Sequence, residues 1–489
     1  MFFVPLFVPA GIRARHNIYN VKDFGARADG MTNDRAAIDK AIKKCHRDGG
    51  GIVFFPKGVY ASATIHLQSN VRLKFEKRTV LLGVKEPVYD KPAPNPWDRY
   101  QDFGHSHYES ALFYGRNLEN IGIEGEVLID GRDFTTSNEV IPGNANRGIS
   151  LVACKNITLK DFTITRCGHF GIIVNDCDGI VVENIHIDQY ESRDGFNIVG
   201  SSNVKITRSV IRGSDDAIAL KSDYSLGKDL NVENIVIQNC EIASRTCNGF
   251  QIGSETVGNF KDIRVEDCKI TGSGKAGLSI TSNDGGNIEN LSFKNIEIKK
   301  SATPFFIYTS SRLRAPGKRT SGKIRNVVFS DIRVKKVRNR HARCERKGWT
   351  STINGVAGCS IEDITFERVS IKYEGGGRAE DREVDVPDNT MAASPRHLSI
   401  RPAYGWYIRH ARRIKFVNCE LLYTKKDSRP AFFVDSSRGI VFDRVSYPVS
   451  KEAPAIMIKD SSGIDCLAVK GCDGTYSEIN GIRSFYFEQ

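Results

Sequence analysis

Apolar and polar residues alternate along the middle of the chain in a nine-residue pattern that occurs ten times. Apolar side chains occupy its second, fourth and ninth positions and usually its seventh. Alternation with a period of two predicts a strand, and the polar residues at the centre predict a bend between two short strands. The leading residue, usually Asn, Asp or Gly, predicts a turn, and stacked Asn side chains are expected to hydrogen-bond along the axis. The copies begin at Asn156, Gly179, Asn203, Asn234, Asp262, Asn290, Asn326, Asp363, Arg413 and Gly439.

The spacing of the copies favours a solenoid of stacked coils. Successive copies are separated by about 23 to 50 residues, because insertions lie between some of them. No helical period lies between the copies, which disfavours leucine-rich and βαβ arrays. A propeller is the alternative, but its blades need about four strands each at more even spacing. We therefore predict an all-β parallel β-helix that forms a single domain over residues 17–489.

Residues 17–83 are predicted to cap the first coil of this solenoid. Thr32 or Asn33 is expected to N-cap a helix that ends at about Arg47. Strands broken by Gly and Pro-Lys-Gly turns follow it. A helix over the end of a solenoid covers an otherwise open apolar end. The apolar face of the predicted helix consists of Ala37, Ile38, Ala41, Ile42 and Cys45.

Two insertions interrupt the pattern and are predicted to wall a binding cleft. Residues 84–110 are rich in Pro and aromatic side chains, and residues 373–407 combine a glycine-rich, charged segment with RPAYGWY. Long structured insertions on one side of a solenoid commonly form binding sites. We expect Trp97, Tyr404 and Trp406 to pack these loops rather than to stack on sugar rings.

The charge balance and the N-terminus suggest the ligand and the location. The chain has 70 Lys and Arg residues against 58 Asp and Glu residues, a net charge of +12. The basic residues are spread along the chain, which argues against a nucleic-acid partner. Their excess favours an acidic ligand such as a uronic-acid polymer. The alternative is that they form only a solvated surface. Residues 1–16 contain a short apolar run, which is an N-terminal extension or the remnant of a secretory signal. We expect a secreted or periplasmic monomer without a membrane span.

Three of the twelve cysteines share one position of the repeat. Cys240, Cys268 and Cys419 occupy the seventh position, where other copies have residues such as Phe162 and Ile185. This position is apolar and faces inwards, so the three cysteines are predicted to be buried free thiols. The chain has no CxxC pair and no Cys/His spacing typical of zinc. The cysteines therefore predict no zinc site.

Three acids stand in two short motifs, SRDG and GSDDA, about one repeat apart. Asp194 lies in the first motif, and Asp215 and Asp216 lie in the second. If both motifs occupy the same place on successive coils, about 4.8 Å apart, three carboxylates crowd one patch. Like charges that close raise at least one pKa, so that one acid keeps a proton while another stays ionised, as glycosidic bond hydrolysis requires. The alternative is that these residues only cap turns, as Asp often does.

Several longer motifs resemble a known family. The chain resembles the polygalacturonase family, family 28 of the glycoside hydrolases, from about Asn17 to about Val445. The opening blocks FGARADGMTNDRAAIDKAI and GGGIVFFPKGVY are shared by many pectin-degrading β-helices and therefore specify the fold only. SRDGFNI, GSDDAIALKS, NGFQIGSE and PAYGWYIRHARRIKF are more specific, and they look most like the bacterial, exo-acting or rhamnogalacturonan-type branch.

The resemblance implies a fold and a reaction. The fold is a right-handed parallel β-helix, and the reaction is hydrolysis of pectin-type polysaccharide with inversion. Asp215 is implied as the general acid, and Asp194 and Asp216 as the residues that hold and deprotonate the water. An inverting site needs room for that water, with acid and base about 6.5–9.5 Å apart. The resemblance implies no metal or cofactor.

The chain departs from the family pattern at three places. Arg193 replaces the Thr of the family's Asn-Thr-Asp, beside the implied base. Asn248 stands where a His is expected. The Arg-x-Lys pair that binds a uronate carboxylate aligns with Ser279 and Thr281.

These departures affect the predicted substrate. The sugar next to the scissile bond is neutral, as in rhamnogalacturonan, or other bases bind its carboxylate. Arg193, Lys221 and Arg312 are the candidates for that role. Asn248 and Glu255 are further candidates for substrate binding, although each of these residues could equally have a structural role.

Two other functions compete with hydrolysis. A catalytically silent β-helix that binds polysaccharide would explain the lost His and Arg-x-Lys, but the three acids argue against it. A polysaccharide lyase on the same fold would use Ca²⁺ held by carboxylates and a basic proton acceptor. Acids that point into the interior of the solenoid would contradict the hydrolase hypothesis.

Overall fold

The computed structural model describes residues 17–485 apart from 103, 133, 138, 140, 338–349, 358–360, 389–390, 392–393, 449–452, 470–475 and 480. Within these ranges, strands from successive coils stack side by side in two long, almost entirely parallel sheets. The predicted parallel β-helix is therefore confirmed. Among the described helices, none has the length and apolar character needed to cross a membrane.

The smaller sheet of the described chain has 15 strands and carries the site described below. Its strands are parallel until the last, Ile482–Phe485, which is antiparallel to its neighbours. The strands of this sheet are Ile65–His66, Ala111–Arg116, Arg147–Val152, Phe170–Asn175, Asp194–Val199, Ile218–Ser222, Phe250–Thr256, Ala276–Ser282, Thr303–Thr309, Ser351–Asn354, Trp406–Arg409, Phe432–Asp435, Ile456–Lys459, Tyr476–Ile479 and Ile482–Phe485.

The larger sheet has 24 strands in the described residues and holds the repeated pattern. Its strands are Ile18–Asn20, Asp29–Asn33, Gly51–Phe55, Val59–Ser62, Val71–Phe75, Thr79–Gly83, Glu119–Glu124, Val127–Asp130, Lys155–Lys160, Thr163–Thr165, Asp178–Glu183, His186–Gln189, Ser202–Thr207, Val210–Gly213, Val232–Gln238, Glu241–Ser244, Phe260–Thr271, Ile288–Lys299, Ile324–Lys335, Ile361–Gly375, Ala411–Val417, Glu420–Lys425, Arg438–Asp443 and Ser462–Leu467.

The polar positions of the repeat form the bends of each coil, as predicted. In the copy that starts at Asn156, the strand Lys155–Lys160 stops at Asp161, which has a φ of 61°. Asn and Asp tolerate this left-handed conformation better than other residues with a side chain. The leading Asn side chains also hydrogen-bond between coils, for example from Asn156 to Asn120 at 3.1 Å and from Asn234 to Asn203 at 2.6 Å. The predicted column of stacked Asn side chains is confirmed.

The apolar positions of the repeat fill the interior of the solenoid. Cys240, Cys268 and Cys419 are buried and unpaired, as predicted. Trp406 is 1% exposed and its ring packs in the core, and Tyr404 is 4% exposed. These two aromatic side chains therefore have the packing role that was expected of them.

The predicted N-terminal helix spans Arg35–Arg47, and all five residues of its predicted apolar face are buried. Its N-cap residue is Asp34, so the prediction of Thr32 or Asn33 was wrong by at least one position. The Asp34 carboxylate accepts hydrogen bonds from the amides of Arg27 and Ala28 instead of capping the helix. Asn33 still contributes, because its side-chain oxygen accepts from the amide of Arg35 at 3.1 Å.

The described 3₁₀ helices are short. Pro395–Leu398 matters most for function, because it brings part of the second insertion to the smaller sheet. The others are Val21–Phe24, Asp98–Tyr100 and Glu380–Glu383.

Candidate active site

The three acids lie together at the amino ends of two adjacent strands in the smaller sheet. Asp194 is the first residue of Asp194–Val199, and Asp215 and Asp216 come just before the next strand of the stack. The amide of Gly195 donates to the carbonyl of Asp216 at 2.9 Å, so the two motifs share one register on neighbouring coils. The predicted meeting of the two motifs is confirmed.

These acids line a cleft of about 350 Å³, which is within the range of ligand sites. Asp194 and Asp216 are 5% and 6% exposed, whereas the side chain of Asp215 is 30% exposed. The acids therefore face a cleft and not the interior of the solenoid. The outcome that would have contradicted the hydrolase hypothesis is not observed.

Both insertions contribute to the wall of this cleft. The first insertion runs over residues 84–110 and the second over residues 373–407. The residues that they contribute are Asp102 and His105 from the first, and Ser394, Arg396 and His397 from the second.

Arg193 and Lys221 line the cleft, but each contacts a carboxylate of the protein. Arg193 Nη2 donates to Asp215 Oδ2 at 2.9 Å. Lys221 Nζ lies 3.9 Å from Asp194 Oδ2 and 3.7 Å from Glu255 Oε2. Both cations therefore compensate the charge of the acidic patch in the free protein.

Arg312 and Glu255 are likewise engaged within the protein. Arg312 forms two hydrogen bonds to Asp284, at 2.9 and 2.6 Å, and a third to the carbonyl of Ser254. Glu255 is 1% exposed and lies 3.4 Å from Arg314, behind the surface of the cleft. The Glu255 carboxylate therefore forms ion pairs with Lys221 and Arg314 inside the wall of the cleft. At this position it is not placed to contact the hydroxyls of a sugar in the cleft.

Asn248, which replaces the expected His, lies directly behind Asp216. Its Nδ2 donates to Asp216 Oδ1 at 2.9 Å, and its backbone amide donates to the same oxygen at 3.2 Å. Its own Oδ1 accepts from the amide of Ala276 at 3.1 Å. Asn248 is 4% exposed and therefore orients the Asp216 carboxylate in the free protein.

The two positions aligned with Arg-x-Lys lie in the wall of the sheet. Ser279 is 2% exposed and pairs in register with Gln251, which lines the cleft. Thr281 is fully buried, and its hydroxyl donates to the carbonyl of Ile252 at 2.9 Å. Neither residue offers a positive charge, so a substrate carboxylate needs cations from elsewhere in the chain.

Burial places a proton on Asp194. Burial raises the pKa of Asp194 strongly, and Lys221 opposes this rise only in part. The negative charges of Asp215 and Asp216 raise it further, so that the pKa reaches about 8. Asp194 is therefore protonated at neutral pH, as expected when carboxylates crowd a desolvated patch.

The pKa of Asp215 is shifted in the opposite direction. Burial raises its pKa, but the Lys275 ammonium, a hydrogen bond with Cys247 and the guanidinium of Arg193 outweigh burial and lower the pKa to about 2. The patch thus holds one proton between two strongly interacting acids. In the free protein this proton lies on Asp194, opposite to the allocation that the family resemblance implies.

Sequence reasoning missed several residues of the cleft. His105 is fully buried, and its Nδ1 lies 2.8 Å from Asp223 Oδ2 while its Nε2 lies 3.4 Å from Lys221 Nζ. Lys275 and Arg396 also line the cleft. Lys275 lies two coils beyond Asp215 and follows no motif, and Arg396 lies in an insertion, so no periodic signal marked either residue.

The described residues contain one group that could hold a metal ion. Ligand atoms of Asp215, Asp216 and Cys247 all lie within 4.8 Å of one another. Two features disfavour a cation there. Burial raises the pKa of the Cys247 thiol well above its ordinary value, and the Lys275 ammonium lies beside the same group. Metal binding requires a thiolate and would be repelled by that charge.

A family comparison agrees with this arrangement. The family model "Glycosyl hydrolases family 28" matches residues 60–393. The chain belongs to glycosyl hydrolase family 28. The members of this family hydrolyse glycosidic bonds, and the matched range includes all three acids.

Individual relatives of this family 28 chain share only part of its length. A probable polygalacturonase of Arabidopsis thaliana is 27% identical over 281 residues, which cover 52% of this chain and 56% of the relative. A mannuronan C5-epimerase of Azotobacter vinelandii, AlgE5, is 31% identical over 209 residues, or 38% of this chain and 20% of the epimerase. The chain therefore spans about half of the first relative and a fifth of the second.

A solved structure supports the fold. The family 28 exopolygalacturonase of Yersinia enterocolitica superposes with a TM-score of 0.63 at 17% identity, over 94% of this chain and 79% of that enzyme. At this identity the similarity shows the shared β-helix, and the activity has to be argued from the site.

Proposed function

We propose that the protein is an inverting glycoside hydrolase that cleaves pectin-type polysaccharide. The observation that carries this proposal is the cleft of a family 28 chain in which three carboxylates meet, with Asp194 protonated and Asp215 ionised at neutral pH. Glycoside hydrolysis needs one acid that is protonated and one carboxylate that is ionised at the same pH. Burial and neighbouring charges supply this difference here.

Exposure favours Asp215 as the proton donor. A donor has to reach the glycosidic oxygen, and the side chain of Asp215 is 30% exposed against 6% for that of Asp194. The Arg193 side chain that holds Asp215 ionised is also partly exposed, at 22%. A sugar that displaces the Arg193 hydrogen bond raises the pKa of Asp215, and the shared proton can then move to it. Asp194 and Asp216 accept the proton of the attacking water.

Asn248 acts through Asp216 in this proposal. It fixes one oxygen of the Asp216 carboxylate with two hydrogen bonds. The other oxygen stays directed to the water, so the amide supplies part of the positioning that the family assigns to a His.

The charge of the cleft favours an acidic polymer. Five Lys and Arg side chains line it against four carboxylates, and one of these carboxylates, Asp194, is protonated at neutral pH. The surplus of positive charge attracts a polyanion such as polygalacturonan.

The test is product analysis on polygalacturonan, the rhamnogalacturonan I backbone and branched pectic oligosaccharides. Reducing ends and ultraviolet absorbance are read together, and proton NMR follows the anomer that forms first. We expect new reducing ends with inverted configuration and no absorbance. A gain in absorbance reveals the unsaturated product of a lyase and contradicts the proposal, as does retention of configuration.

A further inference from the structure

Two cations of the cleft, Arg396 and Lys275, differ from the others because neither forms a direct ion pair with a carboxylate of the described residues. Arg193, Lys221 and Arg312 each contact an acid of the protein. Among the described residues, the side chain of Arg396 forms no hydrogen bond and no ion pair, and its Nε is buried without a partner. No carboxylate oxygen in the described chain lies within 4.0 Å of Lys275 Nζ either.

A third polar group beside Arg396 is also unsatisfied. Ser394 is 9% exposed, and its hydroxyl is buried without a hydrogen-bond partner in the described chain. Ser394 and Arg396 both line the cleft. Ser394 is the N-cap residue of the 3₁₀ helix Pro395–Leu398, and Arg396 is the second residue of that helix. Buried polar groups usually form hydrogen bonds, so these two groups at the cleft are available to donate to a bound ligand.

Lys275 lines the same cleft from the bend just before the strand Ala276–Ser282 of the smaller sheet. Its positive charge is among the causes that lower the pKa of Asp215, so it lies next to the catalytic patch. After burial, the charges of Arg396 and Lys275 are the causes that lower the pKa of His397. Both cations therefore lie near His397, one on the insertion and one on the sheet.

We propose that Arg396, the Ser394 hydroxyl and Lys275 together bind the carboxylate of the uronic acid residue next to the scissile bond. This inference rests on the proposed hydrolase function. It replaces the missing Arg-x-Lys with one cation from the sheet and one from the second insertion. A guanidinium and a hydroxyl donate hydrogen bonds to the two oxygens of one carboxylate, and the ammonium adds a charge.

The proposal is tested by the preference of the enzyme for acidic over neutral substrate. The probes are trigalacturonic acid and its carboxyl-reduced analogue, and the readout is the ratio of their kcat/KM values. Loss of a charge-assisted hydrogen bond to a carboxylate lowers affinity by about 10- to 100-fold. We expect R396Q to lower the ratio by that factor, and R396K, which keeps the charge but loses the planar fork, to lower it less.

The matched control is R378Q, because Arg378 is an exposed arginine of the same insertion that does not line the cleft. R378Q is expected to keep the wild-type ratio. An unchanged ratio in R396Q overturns the proposal, and so does an equal loss on both substrates, which indicates a structural role.

A second measurement separates this proposal from the proposed function. Binding of the same two probes is measured by calorimetry in D215N and in the D215N/R396Q double variant. If the wild type hydrolyses neither probe, the hydrolase proposal fails for these substrates, yet a selective loss of acidic-probe binding in the double variant still supports the carboxylate site. Equal binding of both probes in D215N overturns it.

Discussion

Replacing Arg193 by Thr restores the residue of the family pattern and tests how the patch distributes its proton. Arg193 Nη2 lies 2.9 Å from Asp215 Oδ2, and the two side chains are 22% and 30% exposed. The guanidinium stabilises the ionised form of Asp215. Its removal raises the pKa of Asp215 and shifts the shared proton from Asp194 towards Asp215.

The size of this shift follows from the geometry. Two unit charges about 4 Å apart attract by about 4 kcal/mol at an effective dielectric constant of about 20, or about 3 pKa units. Partial exposure screens the pair, and Lys275 continues to favour the ionised form. We therefore expect the pKa of Asp215 to rise by about 1–2 units. Arg193 also lowers the pKa of Asp194, so each unit by which the pKa of Asp215 rises relative to that of Asp194 increases the fraction of sites with the proton on Asp215 tenfold.

The assay is the pH dependence of kcat/KM, which reports the ionisations of the free enzyme. In the wild type, kcat/KM is expected to fall below about pH 2, where the acidic patch gains a second proton. It is also expected to fall above about pH 8, where the patch loses its only proton. In R193T, the acidic limb moves up by about 1–2 units, and the plateau rises by about 10- to 100-fold because more sites hold the proton on the donor.

The matched control is R208T, because Arg208 pairs with Glu183 on the other sheet and its side chain is 61% exposed. R208T should leave both limbs in place. A plateau that falls in R193T while the acidic limb moves up would show that Asp194 is the donor and Asp215 the base. An acidic limb that does not move would show that Arg193 does not control Asp215.

Four further outcomes are expected. N248A removes the amide that orients Asp216 and should lower kcat by about 10- to 100-fold with little change in KM. N248H should restore part of kcat. Equal effects on kcat and KM would contradict a positioning role. K221Q removes the cation that opposes the raised pKa of Asp194, so the alkaline limb should move above pH 8, and a move to lower pH would refute this reading. I38A opens a cavity under the N-terminal helix and should destabilise the fold by about 2–5 kcal/mol in urea unfolding, with kcat per folded molecule unchanged. Dialysis against EDTA should not change the rate, and a loss that added Ca²⁺ restores would favour a lyase.

The sequence predicted the repetitive parts of the molecule because their signals are periodic. A stack of coils explains both the alternation of apolar residues and the leading Asn residues, and the structure confirms both features. The proximity of Asp194 to Asp215 and Asp216 was predicted by the same reasoning, because residues separated by one repeat length occupy the same position on neighbouring coils. The helix start was misplaced because neighbouring polar residues compete as caps, and Asp34 is drawn into loop contacts.

The remaining features of the site depend on contacts that no period encodes. Arg193 was recognised as unusual, but its ion pair with Asp215 depends on a side-chain direction that spacing does not specify. Arg396 reaches the cleft from an insertion whose path is set by tertiary packing. Asn248 was expected at the substrate, and its position behind Asp216 became visible only from the hydrogen bonds of both polar atoms of its side-chain amide.

The most direct test of the central claim compares turnover and binding in the wild type with D194N, D215N and D216N on polygalacturonan oligomers. D229N serves as control, because Asp229 is an acid outside the cleft that pairs with Arg319. Each cleft variant is expected to lose at least about a hundredfold in kcat while calorimetry still detects the oligomer, and D229N is expected to match the wild type. Turnover that survives in D215N, or a wild type that binds the oligomers without releasing reducing ends, would contradict the account.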